Sequence, residues 1–343
     1  LLLRLNRGLM LLLGAADDER LAYEVGRVTA REARAVGIHM VFAPVVDVNN
    51  NPANPIINTR SYGADPRRVA RLAAAQVRGL QENGVLATAK HFPGHGDTDV
   101  DSHIGLPVVS ADRARLDTLE LVPFRAALDA GVSAVMAAHI AFPALTGDSL
   151  PATLSPALAT GLLRDELGFD GLVVVDALDM GAITEHFSRE EAAVRALRAG
   201  ADVLLMPTDV GATIDAVVDA VRRGELDEAR IDRSVQRILG LKAGLGLHCE
   251  RTVPLERVHD IVGSPDHLAL ADSVAERSIT LVRDRRGTIP LRPRRQRSLL
   301  GIVYTDDVDP FAGRVFRREL AARFETARTV ALDADPHPDR LAQ

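Results

Sequence analysis

The sequence predicts an α/β fold, specifically a (β/α)8 barrel of the TIM type, and three observations support that prediction. From residue 18 to residue 247, short apolar runs alternate with amphipathic stretches, which is the order of strands and helices in a parallel sheet. The runs are almost continuously apolar, as strands buried on both faces are. Polar residues follow several runs directly, and active sites of parallel barrels form at the carboxyl ends of the strands.

The apolar runs and the stretches between them predict the individual elements. The predicted strands are 41–48, 85–91, 133–140, 171–176 and 201–206. Apolar residues at three- and four-residue steps predict helices at 19–36, 66–83, 113–130, 156–167 and 189–199. A glycine follows each helix, where a left-handed residue ends a helix without strain: Gly37, Gly84, Gly131, Gly168 and Gly200. An open, doubly wound sheet would bind ligands only near a switch point, so polar residues after so many strands favour the barrel.

Residues 1–248 are assigned to this barrel, with its first strands missing from the sequence. Residues 249–266 form a proline-containing linker, and residues 267–343 are predicted to be an incomplete second α/β domain, the start of an α/β sandwich. In that domain a helix at 268–278 precedes two predicted strands, ITLVRD and LLGIVYTDD. We therefore expect a chain that is truncated at both ends.

Composition excludes several classes of protein. A net charge of −6 gives no general attraction to nucleic acid or to an anionic membrane. The single cysteine, Cys249, excludes an intrachain disulfide and a cysteine-rich metal cluster. Arg4, Asn6 and Arg7 interrupt the apolar start, so it cannot be a transmembrane helix, and without a starting Met or a clear cleavage site we expect the true N-terminus to be lost. A cytoplasmic and an exported protein both remain possible, and a monomer is expected.

The segment from Lys90 to His103, KHFPGHGDTDVDSH, contains one lysine, three histidines and three aspartates within fourteen residues. One interpretation is a metal centre, because imidazole and carboxylate groups are common ligands. Its candidate ligands are His91, His95, Asp97, Asp99, Asp101 and His103. The spacing matches neither a calcium loop nor a helical histidine pair, and the charge of Lys90 would oppose a cation. No metal or other cofactor is therefore expected.

The other interpretation is sugar chemistry. Asp101 stands two residues before His103, where its carboxylate could orient the imidazole for proton transfer to and from a leaving oxygen. Asp176 ends the run LVVVD and could attack the sugar as a nucleophile.

The run K-H-F-P-G-H-G-x4-D-S-H closely resembles the signature of the β-N-acetylglucosaminidases of glycoside hydrolase family 3, the NagZ type. Further motifs resemble that family in the same order: APVVDVN, NTRSYGADP, PFRAALDAGVSAVMAAHI, LLRDELGFDGLVVVDALDM and AGADVLLMP. The resemblance extends from about residue 14 to residue 247, and several ordered motifs are far more specific than one short pattern.

This resemblance implies a β-N-acetylhexosaminidase that hydrolyses terminal, non-reducing β-linked N-acetylglucosamine with retention. It implies Asp176 as nucleophile, His103 as acid and base, and Asp101 as the partner of His103. The implied substrates are carbohydrates, either peptidoglycan fragments or chitooligosaccharides.

The resemblance also implies that Arg60, Lys90 and His91 hold the sugar hydroxyls. In the family, a segment similar to D-Q-E-G-G-R-V-Q-R precedes the part that matches Gly14, and it supplies an Asp and an Arg to the same sugar subsite. The opening LLLRLNRGLM has no such segment. Two alternatives therefore stay open: a glycoside phosphorylase of the same family, and a non-catalytic sugar-binding fragment.

Simpler roles compete with the functional ones for individual residues. Asp47 could only end a strand and cap the loop at 49–51. Arg60 could form a surface ion pair, and Asp176 could cap a helix. His139, at a strand end, could be a buried histidine with satisfied hydrogen bonds or part of the pocket lining. His95 is expected to organise its loop.

Overall fold

The structure is a computed structural model that describes residues 8–292, 298–304 and 313–332. The chain divides between Ile279 and Thr280 into two compact units, each of which is described by itself.

The first unit contains a parallel sheet in the predicted order. Strands β1 (Thr88–Phe92), β2 (Ala134–Ala137) and β3 (Leu172–Val175) pair in parallel as β1-β2-β3. Most of their residues are buried, because helices cover the sheet. The continuously apolar runs therefore indicated the buried strands correctly. The α/β class and the parallel sheet are therefore confirmed, while the eight-stranded barrel stays a prediction.

The two outer strands of the prediction are only partly formed. On the β1 side, segment 41–48 makes one isolated parallel bridge, Val45 to Lys90, and Met40 just before it makes another, to Leu86. Segment 201–206 makes one bridge, Val203 to Val174 of β3. The prediction of continuous strands there was wrong, although both segments lie in the predicted places beside the sheet. In the first segment Pro44 has no N–H to donate to a ladder.

Helices surround the sheet in the first unit. In chain order they are α1 (Leu9–Ala16), α2 (Glu19–Ala35), α3 (Pro66–Gln81), α4 (Arg113–Thr118), α5 (Leu121–Asp129), α6 (Pro143–Thr146), α7 (Ala157–Glu166, of the wider π type), α8 (Gly181–Thr184), α9 (Arg189–Ala199), α10 (Val210–Arg222), α11 (Glu228–Gly244), α12 (Val258–Ile261) and α13 (Pro265–Ser278). Short 3₁₀ turns lie at Asn58–Arg60, Ala152–Leu154 and Leu255–Arg257. Within the described ranges, none of the helices is long and apolar enough to cross a membrane.

The helix ends follow local chemistry. The Asp18 side chain accepts from the Leu21 N–H to start α2, and Ser188 accepts from the Glu191 N–H to start α9. All five predicted stop glycines have positive φ, which confirms them. The predicted helix 113–130 is instead two helices, because Pro123 cannot donate to the carbonyl of Leu119 four residues earlier.

The boundary between the two units differs from the predicted one. Helix α13 was assigned to the second domain, but Ala271 and Val274 are buried in the core of the first unit. The buried His267 ring also contacts Glu32 of α2, with Nδ1 2.7 Å from Oε1. The structure therefore divides the chain after α13 rather than across 249–266.

The second unit contains a two-stranded parallel sheet. Strands β4 (Leu299–Tyr304) and β5 (Ala327–Leu332) pair directly in parallel, and helix α14 (Arg314–Arg323) lies between them in the sequence. The predicted strand ITLVRD is wrong, since its residues form no strand and Val282 is 90% exposed. The last three residues of LLGIVYTDD lie outside the described residues.

Candidate active site

The carboxyl edge of the parallel sheet gathers the polar residues that the sequence placed at strand ends. Asp47 follows the bridge at Val45, Lys90 and His91 lie in β1, His139 comes shortly after β2, and Asp176 directly follows β3. Parallel neighbouring strands end at the same edge, so these side chains come together although they are distant in sequence.

Asp47 is the centre of this cluster. Its carboxylate is 2.7 Å from His91 Nδ1 and accepts the backbone N–H of His91 at 3.2 Å and that of His95 at 2.7 Å. Burial alone would raise the pKa of Asp47, but the imidazole of His91 and the surrounding N–H donors hold it below its ordinary value. Asp47 therefore organises two histidines and does more than cap the loop at 49–51.

The hydrogen bonds of His91 define its tautomer. Arg60 Nη2 lies 3.3 Å from His91 Nε2, and a guanidinium can only donate. His91 Nε2 must therefore accept, so that Nδ1 carries the hydrogen given to Asp47. The register of β1 with β2 shifts between Lys90 and Phe92, which leaves His91 at an irregularity that redirects its side chain. Arg60 is therefore engaged with the strand edge and not with a surface carboxylate.

Lys90 brings a cation of lowered basicity to the same edge. Burial and the neighbouring Arg60 lower the pKa of Lys90 to about 8, although Asp176 and Asp47 favour its charged form. Lys90 and Arg60 both line a cavity of 300 Å³, whose other walls come from α1, α2, α3 and the segment 41–45. At neutral pH the amine is mostly charged and available as a hydrogen-bond donor.

Asp176 is placed to act as a carboxylate. Burial raises its pKa, but His91, His139, the Ala177 N–H and Lys90 together lower it below the ordinary value. Its Oδ1 accepts the Ala177 N–H at 2.9 Å, and its own N–H donates to the Ala137 carbonyl of β2. The carboxylate stays ionised at neutral pH, as a nucleophile must.

Asp101 and His103 form a dyad on the loop after β1. Asp101 Oδ1 lies 2.7 Å from His103 Nδ1 and accepts the His103 backbone N–H at 2.8 Å. With Nδ1 bonded to the carboxylate, the other ring nitrogen is left for proton exchange. The His103 side chain is 61% exposed, so this nitrogen is accessible.

Backbone contacts attach the dyad loop to the segment after Asp176. The Gly181 N–H donates to the His103 carbonyl at 3.1 Å, and the Ala182 N–H donates to the Ser102 carbonyl at 3.2 Å. A Cβ at position 181 would lie 2.7 Å from the His103 carbonyl oxygen, so only glycine allows this approach. The dyad and the candidate nucleophile are therefore held together by main chain.

His95 organises the interior of the loop, as expected. Its Nδ1 is 2.7 Å from Thr98 Oγ1 and its Nε2 is 3.1 Å from Ser102 Oγ, while Asn54 donates to its carbonyl. Burial, with His91 nearby, lowers the pKa of His95 to about 4, so the ring is neutral at physiological pH. Asn54 and Thr98 were missed by the sequence analysis, because nothing in their spacing marks them, and Ser102 entered it only as a letter of the D-S-H motif.

Most of the candidate metal ligands have other partners. Asp97 accepts from Asn50 and pairs with Arg115, and both ring nitrogens of His95 are occupied. In the part of the chain that the structure describes, no three His, Cys, Asp or Glu side chains are grouped to hold a metal ion.

His139 is buried and satisfied. Its Nδ1 lies 2.8 Å from Thr153 Oγ1 and its Nε2 lies 2.9 Å from the Ala177 carbonyl oxygen. Both ring nitrogens are occupied, so none is left for a ligand. His139 is therefore a buried histidine with satisfied hydrogen bonds rather than a residue that contacts substrate.

Comparison with known proteins relates this arrangement to carbohydrate-active enzymes. Residues 9–241 match the model of the glycosyl hydrolase family 3 N-terminal domain. A β-N-acetylglucosaminidase/β-glucosidase of Cellulomonas fimi is 39% identical over 287 residues, which are 81% of this chain and 50% of that protein.

Two solved structures are similar along almost the whole chain. A family 3 β-N-acetylglucosaminidase from Paenibacillus sp. str. FPU-7 is 41% identical with a TM-score of 0.85, covering 97% of this chain and 64% of that one. The β-glucoside phosphorylase BglX is 32% identical with a TM-score of 0.88, covering 97% and 62%. The chain spans about half the length of the curated relatives it matches.

Proposed function

The chain belongs to glycosyl hydrolase family 3, and from that membership we propose that it carries the catalytic part of a retaining β-N-acetylglucosaminidase. The observation that carries the proposal is the joining of an ionised strand-end carboxylate, Asp176, to the Asp101–His103 dyad through the bonds of Gly181 and Ala182. A nucleophile and a proton carrier at one sheet edge are what retaining hydrolysis requires. We also propose that the first unit is part of a (β/α)8 barrel.

In the first step the Asp176 carboxylate attacks the anomeric carbon. The bond between that carbon and the leaving oxygen breaks, and the leaving oxygen takes a proton from His103. Asp101 accepts from His103 Nδ1 and orients the ring for the transfer. The product of this step is a covalent glycosyl-enzyme and a free aglycone.

In the second step water releases the sugar. The neutral His103 takes a proton from water, the water oxygen attacks the anomeric carbon, and the bond to Asp176 breaks. The carboxylate and the protonated imidazole are restored, so the cycle is balanced in protons. Two inversions at the anomeric carbon give net retention.

Arg60, Lys90 and His91 are proposed to hold the sugar hydroxyls. All three side chains belong to the edge that Asp176 shares, and the charged donors Arg60 and Lys90 line the same cavity. Charge-assisted hydrogen bonds from these groups would orient the ring against the nucleophile. The proposed substrates are β-linked N-acetylglucosamine compounds such as peptidoglycan fragments or chitooligosaccharides. We propose that the protein acts on them as a monomer and that the reaction needs no cofactor.

The dependence on the leaving group tests the proton-transfer role. His103→Ala should lose about 10²–10⁴-fold in kcat/KM on a β-linked N-acetylglucosamine disaccharide, because an alkoxide leaving group needs protonation. An aryl glycoside with an acidic phenol should lose about tenfold or less. The exposed His186→Ala is the matched control and should retain activity on both substrates. Equal losses of His103→Ala on the two substrates would contradict the role as acid.

Phosphorolysis is the second candidate, and the similarity to the β-glucoside phosphorylase favours testing it. A neutral imidazole repels phosphate less than a carboxylate does, so phosphate could replace water in the second step. Product analysis with and without phosphate distinguishes a free sugar from a sugar 1-phosphate. Calorimetric binding of N-acetylglucosamine without any turnover would instead indicate a sugar-binding fragment.

A further inference from the structure

His139 contacts the chain immediately beyond the proposed nucleophile. It lies beyond the end of β2, is 1% exposed, and its Nε2 is 2.9 Å from the carbonyl oxygen of Ala177. Ala177 also donates its N–H to Asp176 Oδ1 at 2.9 Å. One residue therefore connects the histidine to the carboxylate, through its carbonyl on one side and its N–H on the other.

The hydrogen bonds define the orientation of the His139 ring. A carbonyl oxygen only accepts, so Nε2 must carry a hydrogen and donate it to Ala177. On the other side of the ring, Nδ1 lies 2.8 Å from Thr153 Oγ1, and the Thr153 hydroxyl donates its own hydrogen to the Ala138 carbonyl at 2.8 Å. Thr153 therefore anchors the ring to the chain just beyond β2, with Nε2 directed at Ala177.

We propose that His139 is a positioning residue for Asp176: as an N–H donor to the Ala177 carbonyl, it fixes the turn whose N–H orients the Asp176 carboxylate. The inference rests on the proposed role of Asp176 as nucleophile. His139 does not touch the substrate, because both its ring nitrogens are occupied. It affects catalysis by fixing the direction of attack, where a displacement of 1 Å can cost about 10²-fold in rate.

Two amide substitutions separate this role from simple filling of space. In His139→Gln the side-chain amide nitrogen can reach the place of Nε2 and donate to Ala177, whereas in His139→Asn it reaches only the place of Nδ1. We expect His139→Gln to keep kcat within about tenfold of wild type and His139→Asn to lose about 10²-fold, each with little change in KM. Thermal unfolding of both variants shows whether a loss of kcat is caused by a loss of stability.

The pH profile provides a readout that a merely structural role would not move. Without the anchor at Ala177, its N–H holds the Asp176 carboxylate less well, and the pKa of Asp176 rises. Both variants lose the imidazole, so the acid limb of kcat/KM should lie at higher pH in His139→Asn than in His139→Gln. Equal kcat losses in the two variants, or the same acid limb in both, would overturn the proposal.

Thr153 offers a second pair of variants if the His139 variants do not fold. Thr153→Ser keeps the hydroxyl that contacts His139 Nδ1 and Thr153→Val removes it, so we expect kcat to fall about tenfold in Thr153→Val only. Equal kcat in these two variants would contradict the inference. All assays use the full-length protein and an aryl β-N-acetylglucosaminide. A wild-type protein without activity would count against the proposed function, whereas an active wild type with equal variants would count against His139 alone.

Discussion

Two buried carboxylates lie at opposite ends of the parallel strands, and their partners differ. Asp47, at the carboxyl ends, is bonded to the His91 ring and to two backbone N–H groups. Asp202, at the amino ends, is surrounded by three guanidinium groups, those of Arg164, Arg230 and Arg237. Both carboxylate side chains are 0% exposed.

The cluster around Asp202 is closed, because its donors are used internally. Arg164 also donates to the Phe169, Gly171 and Gly200 carbonyls, and Ser234 and the Val173 N–H complete the carboxylate. Such a network joins helices α7 and α11 to the strand starts and leaves little capacity for a ligand.

The carboxyl-end cluster is open. Lys90 Nζ has no hydrogen-bond partner among the residues that the structure describes, and one nitrogen of His103 is free for exchange. The comparison teaches that charge burial by itself does not mark a site. What marks it is donor and acceptor capacity that the fold leaves unused.

The strongest test of the comparison is Asp176→Asn. We expect kcat/KM on an aryl β-N-acetylglucosaminide to fall on the order of 10⁴-fold, because the amide cannot form the covalent intermediate. Thermal unfolding should change little, since the amide keeps the shape of the side chain. Asp179→Asn, the same change at an exposed residue three positions later, is the control and should remain active. Wild-type activity in Asp176→Asn would show that Asp176 is not the nucleophile.

Asp202→Asn should produce the opposite phenotype. Loss of the carboxylate leaves three partly buried guanidinium groups uncompensated, so the free energy of unfolding should fall by about 3–5 kcal/mol. Urea unfolding followed by helical signal measures it. The exposed pair of Asp219 and Arg222 supplies the control, because Asp219→Asn should cost under about 0.5 kcal/mol. If both variants lose equal stability, the closed cluster has no special structural role.

Asp47→Asn should combine the two phenotypes. An amide cannot accept from all three N–H donors, so the free energy of unfolding should fall by about 1–3 kcal/mol. His91 also loses the partner that sets its tautomer, and kcat/KM should fall about 10²-fold, the upper effect of partners that orient functional groups. Paired activity and unfolding measurements check this. A loss of stability without a loss of activity would place Asp47 with Asp202 as a purely structural carboxylate.

The smallest expected effect is a pH dependence of binding through Lys90. Its pKa of about 8 means that the amine loses its charge as pH rises through 8, so its hydrogen bond to a sugar hydroxyl weakens above that pH. We expect KM to rise about fivefold between pH 7 and pH 9, equal to roughly 1 kcal/mol. Lys90→Arg keeps its charge at pH 9, and its KM ratio between the two pH values should stay near one. The same KM ratio in wild type and Lys90→Arg would exclude Lys90 as the source of the pH dependence of KM.

The family motifs and strand positions were accessible from sequence because they depend on local order. Continuous apolar runs, stop glycines and the placement of Asp176 after LVVV follow from burial and from helix chemistry. The outer strands were predicted less well, since pairing depends on the neighbouring segment as well as on the run itself.

The sequence by itself determined that four histidines, His91, His95, His103 and His139, stand at strand ends or on the loop that follows one. Only the tertiary structure decided what each ring does. Asp47 is 44 residues from His91, and Ala177 is 38 residues from His139. The state of an imidazole is defined by the partners of both its nitrogens, and these partners come from other strands, so no local pattern contains them.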